Sequence, residues 1–328
     1  MAERRVRHRA LATAPLRGPG LDKLRDMFDV VHEPWIDQSP LRIYNAEDLA
    51  RRVDVEGATV LVVESDLVSG PVFERPLLAV AATRGEPTNV DLAAATAAGI
   101  PILYTPGRNA DAVAELTVGL LLAVTRGIAS ADHDARSGLV WRDGTIPYQR
   151  FRGWELAGRS VGLIGLGAVG RATRWRLEAL GMTVRAFDPY VAEADRDLCA
   201  LLSSVDVVSV HAPVTEATRG MIGSAQFAAM RPGTVFLNTA RASIHDPDAL
   251  VEALTSGHLG GAGLDHVEGE ALPDGHPLLA LSHVVLTPHI GGATWDTEAR
   301  GASLVADDLE RLLRGGTPIH VANPEVLP

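Results

Sequence analysis

Short, fully apolar runs alternate with longer stretches whose apolar residues recur at helical spacing, and the alternation occurs in two blocks. In the first, ALAT (10–13), TVLVV (59–63), LLAVAAT (77–83) and IPIL (100–103) predict buried strands, separated by helical segments such as VDLAAATAAG. In the second, VGLI, TVRAF, VDVVSV, TVFLN, GGAGL and VVLT predict six more between residues 161 and 287. Strands that are apolar throughout and separated by helices belong to parallel sheets covered on both faces. The fold class expected is therefore α/β, with two parallel-sheet domains.

Between the blocks, DAVAELTVGLLLAVTR (111–126) reads as a helix with acidic residues in its first two turns and an arginine at its end, as the macrodipole favours. It is apolar nearly all round, which predicts burial between domains or subunits. A polar, aromatic stretch follows (132–157). Asp246-Pro247 supplies a cap and a first-turn proline for a later helix, which Gly257 ends. After the sixth strand, TEARGASLVADDLERLLRG (297–315) is a long amphipathic helix with no strand behind it, so it is expected to pack back onto the first block. The first domain is then discontinuous, 1–107 with 299–328, and the second, 108–298, is inserted into it.

At 328 residues and 46% apolar content, the chain has material for about two cored domains. A net charge of −11 counts against nucleic-acid or anionic-membrane partners. The only basic cluster, RRVRHR (4–9), reads as a solvated tail. No apolar stretch approaches the roughly 18 residues of a membrane span, and the start lacks the pattern of a secretory signal, so a cytoplasmic protein is expected. Cys199, the only cysteine, lies in DLCALL and is predicted to pack in the core, which leaves no disulfide framework. No HExxH or other metal-ligand spacing appears, and no metal is expected.

VGLIGLGAVGRATRWRLEALG (161–181) carries G-x-G-x-x-G at Gly165, Gly167 and Gly170. With 32 glycines in the chain the pattern alone is weak. Its context is complete, however: a strand runs into it, a helix opens from it, and the next strand ends at Asp188. Gly165 permits the tight turn, Gly167 lets the backbone approach a pyrophosphate, and Gly170 allows close helix–strand packing. The first helical amides hold the phosphates. Asp188 accepts from a ribose diol and repels a 2′-phosphate, so the cofactor expected is NAD.

The remaining polar candidates all follow strand ends. His211 follows VDVVSV; Thr239, Ala240 and Arg241 follow TVFLN; Asp265 and Glu270 follow GGAGL; His289 follows VVLT. Loops at the carboxyl ends of parallel strands build the ligand crevice. Nicotinamide chemistry on a hydroxy acid needs a planar cation for the carboxylate, an acid/base group near neutrality, and a carboxylate to orient that group. Arg241, His289 and Glu270 fit these roles. The other histidines, among them His245 and His266, are left as structural or exposed.

Six motifs extend the reading over nearly the whole chain: NVDLAAATAAGIPILYTPGRNADAVAELTVGLLLAVTR, VGLIGLGAVG with FDPY, HAPVTEATRGMIG, MRPGTVFLNTARASIHDPDALVEAL, GAGLDHVEGEALP and LTPHIGGAT. In these the chain resembles the D-isomer-specific 2-hydroxyacid dehydrogenases. The resemblance implies two Rossmann-like or flavodoxin-like domains with a cleft between them, the NAD domain inserted into the substrate domain. It implies that Arg241 binds the 2-oxo acid, that His289 is the acid/base and that Glu270 is its partner. Ala168 and Val169 then supply pyrophosphate-binding amides, Asp265 lies near the nicotinamide amide, and His211, Pro213, Thr239 and Ala240 line the cofactor. Gly291 and Gly292 let the backbone pass close to it. The loop TRGEPTNVD (83–91) becomes the substrate loop, with Arg84 and Gly85, and a homodimer through 111–126 and 132–157 follows.

Several positions depart from the family's pattern. Ala242 and Ala271 replace the usual glycine and proline, and His245 and His266 replace apolar residues. Glu64 stands where phosphoglycerate-type members tend to carry arginine, while Arg84 and Arg108 raise the question of a phosphate- or phosphonate-bearing substrate. A corepressor group resembles the same family and keeps the trio, so an NAD(H)-sensing interaction protein is the alternative.

Overall fold

The structure, a computed structural model, describes residues 8–142 and 144–327. The chain divides into two compact units: residues through Arg108 together with Thr294 onward, and Asn109–Ala293. The second crossing precedes residue 299, because Thr294 caps the final helix: its side chain accepts from the Thr297 amide, and Trp295–Leu313 runs on as one element.

In the first unit, β1 (Arg9–Ala12), β2 (Asp29–His32), β3 (Val60–Val63), β4 (Ala79–Ala82) and β5 (Ile102–Tyr104) form a parallel sheet in the order β2-β1-β3-β4-β5. Side chains alternate across it. Leu61 and Val63 pack with Leu49 and Val53 of helix α2 (Ala46–Glu56) on one face. Val60 and Val62 pack with Leu21 and Leu24 of helix α1 (Gly18–Met27) and with Val305 and Leu309 of the final helix on the other. The two helices on that second face cross tightly, for a Cβ on Gly20 would lie 2.3 Å from the Ala302 carbonyl carbon. The short helix α3 (Leu92–Ala97) is capped by Asp91, whose carboxylate accepts from the Ala94 amide. Strand β2 is absent from the apolar pattern because DVVH is four residues long and only half-buried at a sheet edge. Most of the RRVRHR run lies outside the described residues; its last member, Arg9, opens β1 and pairs with Asp29 at 2.6 Å.

The second unit begins with helices α4 (Ala110–Thr125), α5 (Ile128–Arg136) and α6 (Pro147–Arg150). Its sheet holds β6 (Ser160–Ile164), β7 (Thr183–Phe187), β8 (Val207–Val210), β9 (Thr234–Asn238), β10 (Leu259–Leu264) and β11 (Val284–Leu286), all parallel, in the order β11-β10-β9-β8-β6-β7. Beyond β7 only a single bridge, Phe187 to Asp195, stands where a further strand would lie. Helices α7 (Ala168–Ala179), α8 (Leu198–Leu202), α9 (Ser224–Ala229) and α10 (Pro247–Thr255) complete it. Because β6 is flanked by β7 and β8, the strand order reverses there, and the loops after β6 and β8 border the switch point where such sheets bind ligands.

Helix α4 is seated on its own sheet. Its threonines return their hydroxyls to the preceding turn, Thr117 to Val113 O and Thr125 to Leu121 O, both at 2.8 Å. Strand β10 is rich in glycine to receive it: a Cβ on Gly261 would lie 2.6 Å from Val124, and one on Gly263 3.0 Å from Leu120. Cys199 corrects the sequence reading. Helix α8 buries Leu201 and Leu202, which leaves Cys199 on the exposed face. No single helix among the described residues is long and apolar enough to cross a membrane.

Candidate active site

The loop after β11 is built around one buried carboxylate. Asp265 follows β10 and is 1% exposed; its Oδ1 accepts from the Thr287 hydroxyl (2.7 Å) and the Ile290 amide (2.8 Å), and its Oδ2 from the Gly291 amide (2.8 Å). The Asp265 carbonyl takes the His289 amide at 3.0 Å. His289 is thus gripped from both sides, in a left-handed conformation at φ 56°. This is why two glycines follow it. A Cβ on Gly291 would lie 2.8 Å from Asp265 Oδ2, and one on Gly292 3.3 Å from the Asn109 side chain, so packing within the chain already asks for small residues here.

The His289 ring is presented to Glu270, with Nδ1 3.2 Å from Oε1. Glu270 also has a left-handed backbone, φ 63°, directly after Gly269 at φ 69°. Both side chains are about half-exposed within the chain, at 45% and 62%. His266 joins them: it is 4% exposed, its ring centroid lies 3.9 Å from that of His289, and its Nδ1 lies 4.0 Å from Glu270 Oε1. Burial first, then the charges of His289 and Arg241, push the His266 ring down to about 4, so it is neutral at neutral pH. The signals for His266 in the sequence are its place beside Asp265 and its departure, shared with His245, from an apolar position of the family's pattern, and neither assigns it a role.

Arg241 is close enough to bear on the His266 ring, and it is placed by the turn after β9. The fully buried Asn238 holds that turn. Its Oδ1 accepts from the Ala240 amide at 2.9 Å, while its Nδ2 donates to Arg241 O at 2.9 Å and faces His245 Nδ1 at 3.0 Å. His245, likewise driven down to about 4 by burial, is therefore an acceptor at Nδ1. The guanidinium itself is exposed and, among the described residues, bonds only its neighbour Ala240 O, at 2.6 Å. Thr239 turns its hydroxyl to Thr117, 2.9 Å away on α4.

At the switch point, Gly165 adopts φ 97°, and a Cβ there would lie 2.8 Å from the Ala212 amide nitrogen. A Cβ on Gly170 would lie 2.2 Å from Gly165 O, whereas Gly167 faces open space. Helix α7 starts there with no side-chain cap and no acidic residue in its first turn. The amides of Ala168, Val169 and Gly170 therefore have no partner within the helix and are available to an anion. Asp188 is pinned at the end of β7, Oδ2 accepting from the Leu166 amide and Oδ1 from the Tyr190 amide, both at 2.9 Å. His211 shares Nε2 with Ser209 Oγ at 2.9 Å, and its Nδ1 is buried without a hydrogen-bond partner. Pro213 O accepts the Thr218 hydroxyl at 2.6 Å. An open cradle of amides, a fixed carboxylate one strand away and an orphaned ring nitrogen fit a dinucleotide.

In the first unit, Arg84 donates to Glu64 O at 3.3 Å, and Gly85 has open space where a Cβ would lie. Glu64 accepts from Trp35 Nε1 at 3.0 Å and forms an ion pair with Arg108; both members of the pair are largely buried.

The profile described as "D-isomer specific 2-hydroxyacid dehydrogenase, NAD binding domain" matches residues 118–291. A glyoxylate reductase of Thermofilum pendens is 36% identical over 334 residues, covering 98% of this chain and 96% of that one. A Thermus thermophilus protein of known structure is 37% identical with a TM-score of 0.81, over 96% of this chain and 99% of that one. The NADPH-dependent glyoxylate/hydroxypyruvate reductase of Sinorhizobium meliloti, solved with citrate, is 28% identical with a TM-score of 0.77, over 97% and 98%. With this likeness over nearly the whole chain, and with a dinucleotide cradle and an imidazole–carboxylate pair after strands of one sheet, the chain belongs to the D-isomer specific 2-hydroxyacid dehydrogenases, nicotinamide-dependent oxidoreductases that interconvert 2-oxo and 2-hydroxy acids.

Proposed function

We propose that His289 is the acid/base, Glu270 its orienting partner and Arg241 the anchor for the substrate carboxylate, on a small 2-oxo acid without a phosphate. The observation that carries the reading is the 3.2 Å contact from His289 Nδ1 to Glu270 Oε1. It commits Nδ1 to the carboxylate and leaves Nε2 to exchange a proton with the substrate oxygen. When bound, the nicotinamide exchanges a hydride with carbon 2 of the substrate. Arg241 presents a planar, permanently charged fork to the carboxylate, so the reacting carbonyl is oriented before the proton moves. Glu270 balances the charge of the doubly protonated ring.

The cradle of Ala168, Val169 and Gly170 would hold the pyrophosphate and Asp188 the adenosine ribose, with NAD rather than NADP as the better fit. Asp265 acts mainly by holding the His289 loop, and Thr239 and Ala240 act mainly through their backbone. Glyoxylate and hydroxypyruvate are the first substrates to try, since relatives of this chain carry those names. Glu64 counts against a phosphorylated substrate, because it already occupies Arg108. Exposed Trp141, Ile146 and Tyr148, in the arm after α5, support a homodimer closed through that arm and α4.

The test is His289→Ala assayed with NADH and glyoxylate. Acid–base catalysis contributes about 10²–10⁴-fold, so turnover should fall at least about 10²-fold; an unchanged rate would remove His289 from the chemistry. Activity with any 2-oxo acid also counts against a purely NAD-sensing interaction protein.

A further inference from the structure

His266 is buried to 4% exposure, yet no hydrogen bond from its ring is found among the described residues. Neither ring nitrogen is among the fully enclosed unpartnered atoms, so the neutral ring keeps a nitrogen lone pair within reach of a small ligand beside the exposed pair. The ligand atoms of His266, Glu270 and His289 all lie within 4.8 Å of one another. We propose that these three side chains form a binding site for a divalent ion of the zinc class, and that occupancy of the site switches the acid–base pair off.

The donor set decides the class. Two imidazole nitrogens and one carboxylate oxygen suit borderline ions such as zinc, cobalt and nickel, and suit magnesium or calcium poorly. Bonds of about 2.0–2.1 Å to a tetrahedral ion put neighbouring ligand atoms about 3.3 Å apart. The His289–Glu270 separation, 3.2 Å, already meets that, and the His266–Glu270 separation, 4.0 Å, must close by less than about 1 Å. Glu270 sits on a solvent-exposed loop and supplies that movement, while the two imidazole nitrogens, within 4.8 Å of each other, close by up to about 1.5 Å through rotation of the half-exposed His289 ring. Three protein ligands leave a fourth position to water.

The consequence for the reaction follows from proton counting. The ion takes the Nδ1 lone pair of His289; the proton there shifts to Nε2 if the ring is neutral, and is lost to solvent if the ring is the doubly protonated imidazolium. The ring then carries metal on Nδ1 and one proton on Nε2. It can neither lose that proton readily nor accept another, so it cannot cycle in either direction. Glu270, now a ligand, no longer balances the imidazolium. The sequence conceals this site because 266 and 270 meet 289 only through the loop that Asp265 folds.

This inference rests on the acid–base reading of His289 for its effect on rate, but not for binding. Equilibrium dialysis of the cofactor-free chain against zinc should give one ion per chain at micromolar zinc. His266→Leu and Glu270→Gln should each weaken binding at least tenfold; Glu270→Gln, on an exposed loop, keeps the test informative if His266→Leu folds poorly. Zinc should abolish wild-type turnover reversibly, with EDTA restoring it, while each variant, measured against its own metal-free rate, should resist. Absence of a stoichiometric ion, or His266→Leu binding as tightly as wild type, overturns the site. A His289→Ala chain that loses zinc yet keeps turnover would support the site and unseat the acid–base reading instead.

Discussion

Glu270 and His289 face each other across 3.2 Å, and among the described residues they are the two non-glycine positions with left-handed backbones, at φ 63° and 56°. Strain of this kind persists only where the surroundings impose it, and it collects at functional positions. Here it is imposed on both halves of one hydrogen-bonded pair.

That shared strain reverses an ordinary rule. Alanine is normally favoured over glycine by about 0.5–1 kcal/mol, but a left-handed backbone costs it about 1–2 kcal/mol. In urea unfolding, His289→Gly should therefore be more stable than His289→Ala, and Glu270→Gly more stable than Glu270→Ala, by up to about 1 kcal/mol. Alanine variants at or above their glycine counterparts would mean that the loops relax out of this conformation.

Asp265 gives a second prediction. Its carboxylate closes the His289 loop through three bonds, and bonds to a charged acceptor are each worth about 1.5–3 kcal/mol. Asp265→Ala should lose at least about 2 kcal/mol of stability and most of its turnover. Its dissociation constant for NADH, measured by fluorescence titration, should change far less. Weakened NADH binding with turnover intact would assign Asp265 to the cofactor instead.

The proposed contact of Asp188 with the adenosine ribose gives a third prediction. Removing its charge by Asp188→Ala should raise kcat/KM for NADPH relative to NADH at least about tenfold, the effect of even a modest charge repulsion. An unchanged ratio would show that something else rejects the 2′-phosphate.

The buried histidines predict acid lability. His245 and His266 both titrate near 4 in the fold, each chiefly because burial opposes the charged ring. An unfolded histidine titrates near 6.5, so between those values the unfolded chain holds more protons and stability falls with pH. Each ring contributes up to about 1.4 kcal/mol per pH unit, so the two together approach 2–3 kcal/mol per unit near pH 5. Urea midpoints between pH 7.5 and 4.5 measure this directly, and His245→Leu should flatten the slope by about one proton.

All six strands of the second unit are legible in the sequence, because each is a short, largely apolar or glycine-rich run next to glycine or a polar turn, although β7 and β11, at the sheet edges, are only partly buried. The dinucleotide turn is legible too, since its glycines answer to steric demands that hold wherever a strand meets a helix so closely. What stays hidden depends on distant residues. His266 looks like any histidine until the loop of His289 folds over it, and Cys199 looks buried until α8 turns it outward. The glycines after His289 are visible as glycines, but the contacts that crowd them, the Asp265 carboxylate at Gly291 and the Asn109 side chain at Gly292, are not.

The bare positions of β10 act as a spacer of zero thickness. Helix α4 can sink onto the strand at Gly261 and Gly263, and the same helix, through Val113 and Leu116, forms the wall against which Gly291 rests. One cylinder thus touches both the floor of the sheet and the loop that aims the imidazole. A methyl group added to the strand would lift that cylinder and be felt at the ring of His289, so a residue with no side chain of its own bears on the aim of the proposed acid/base.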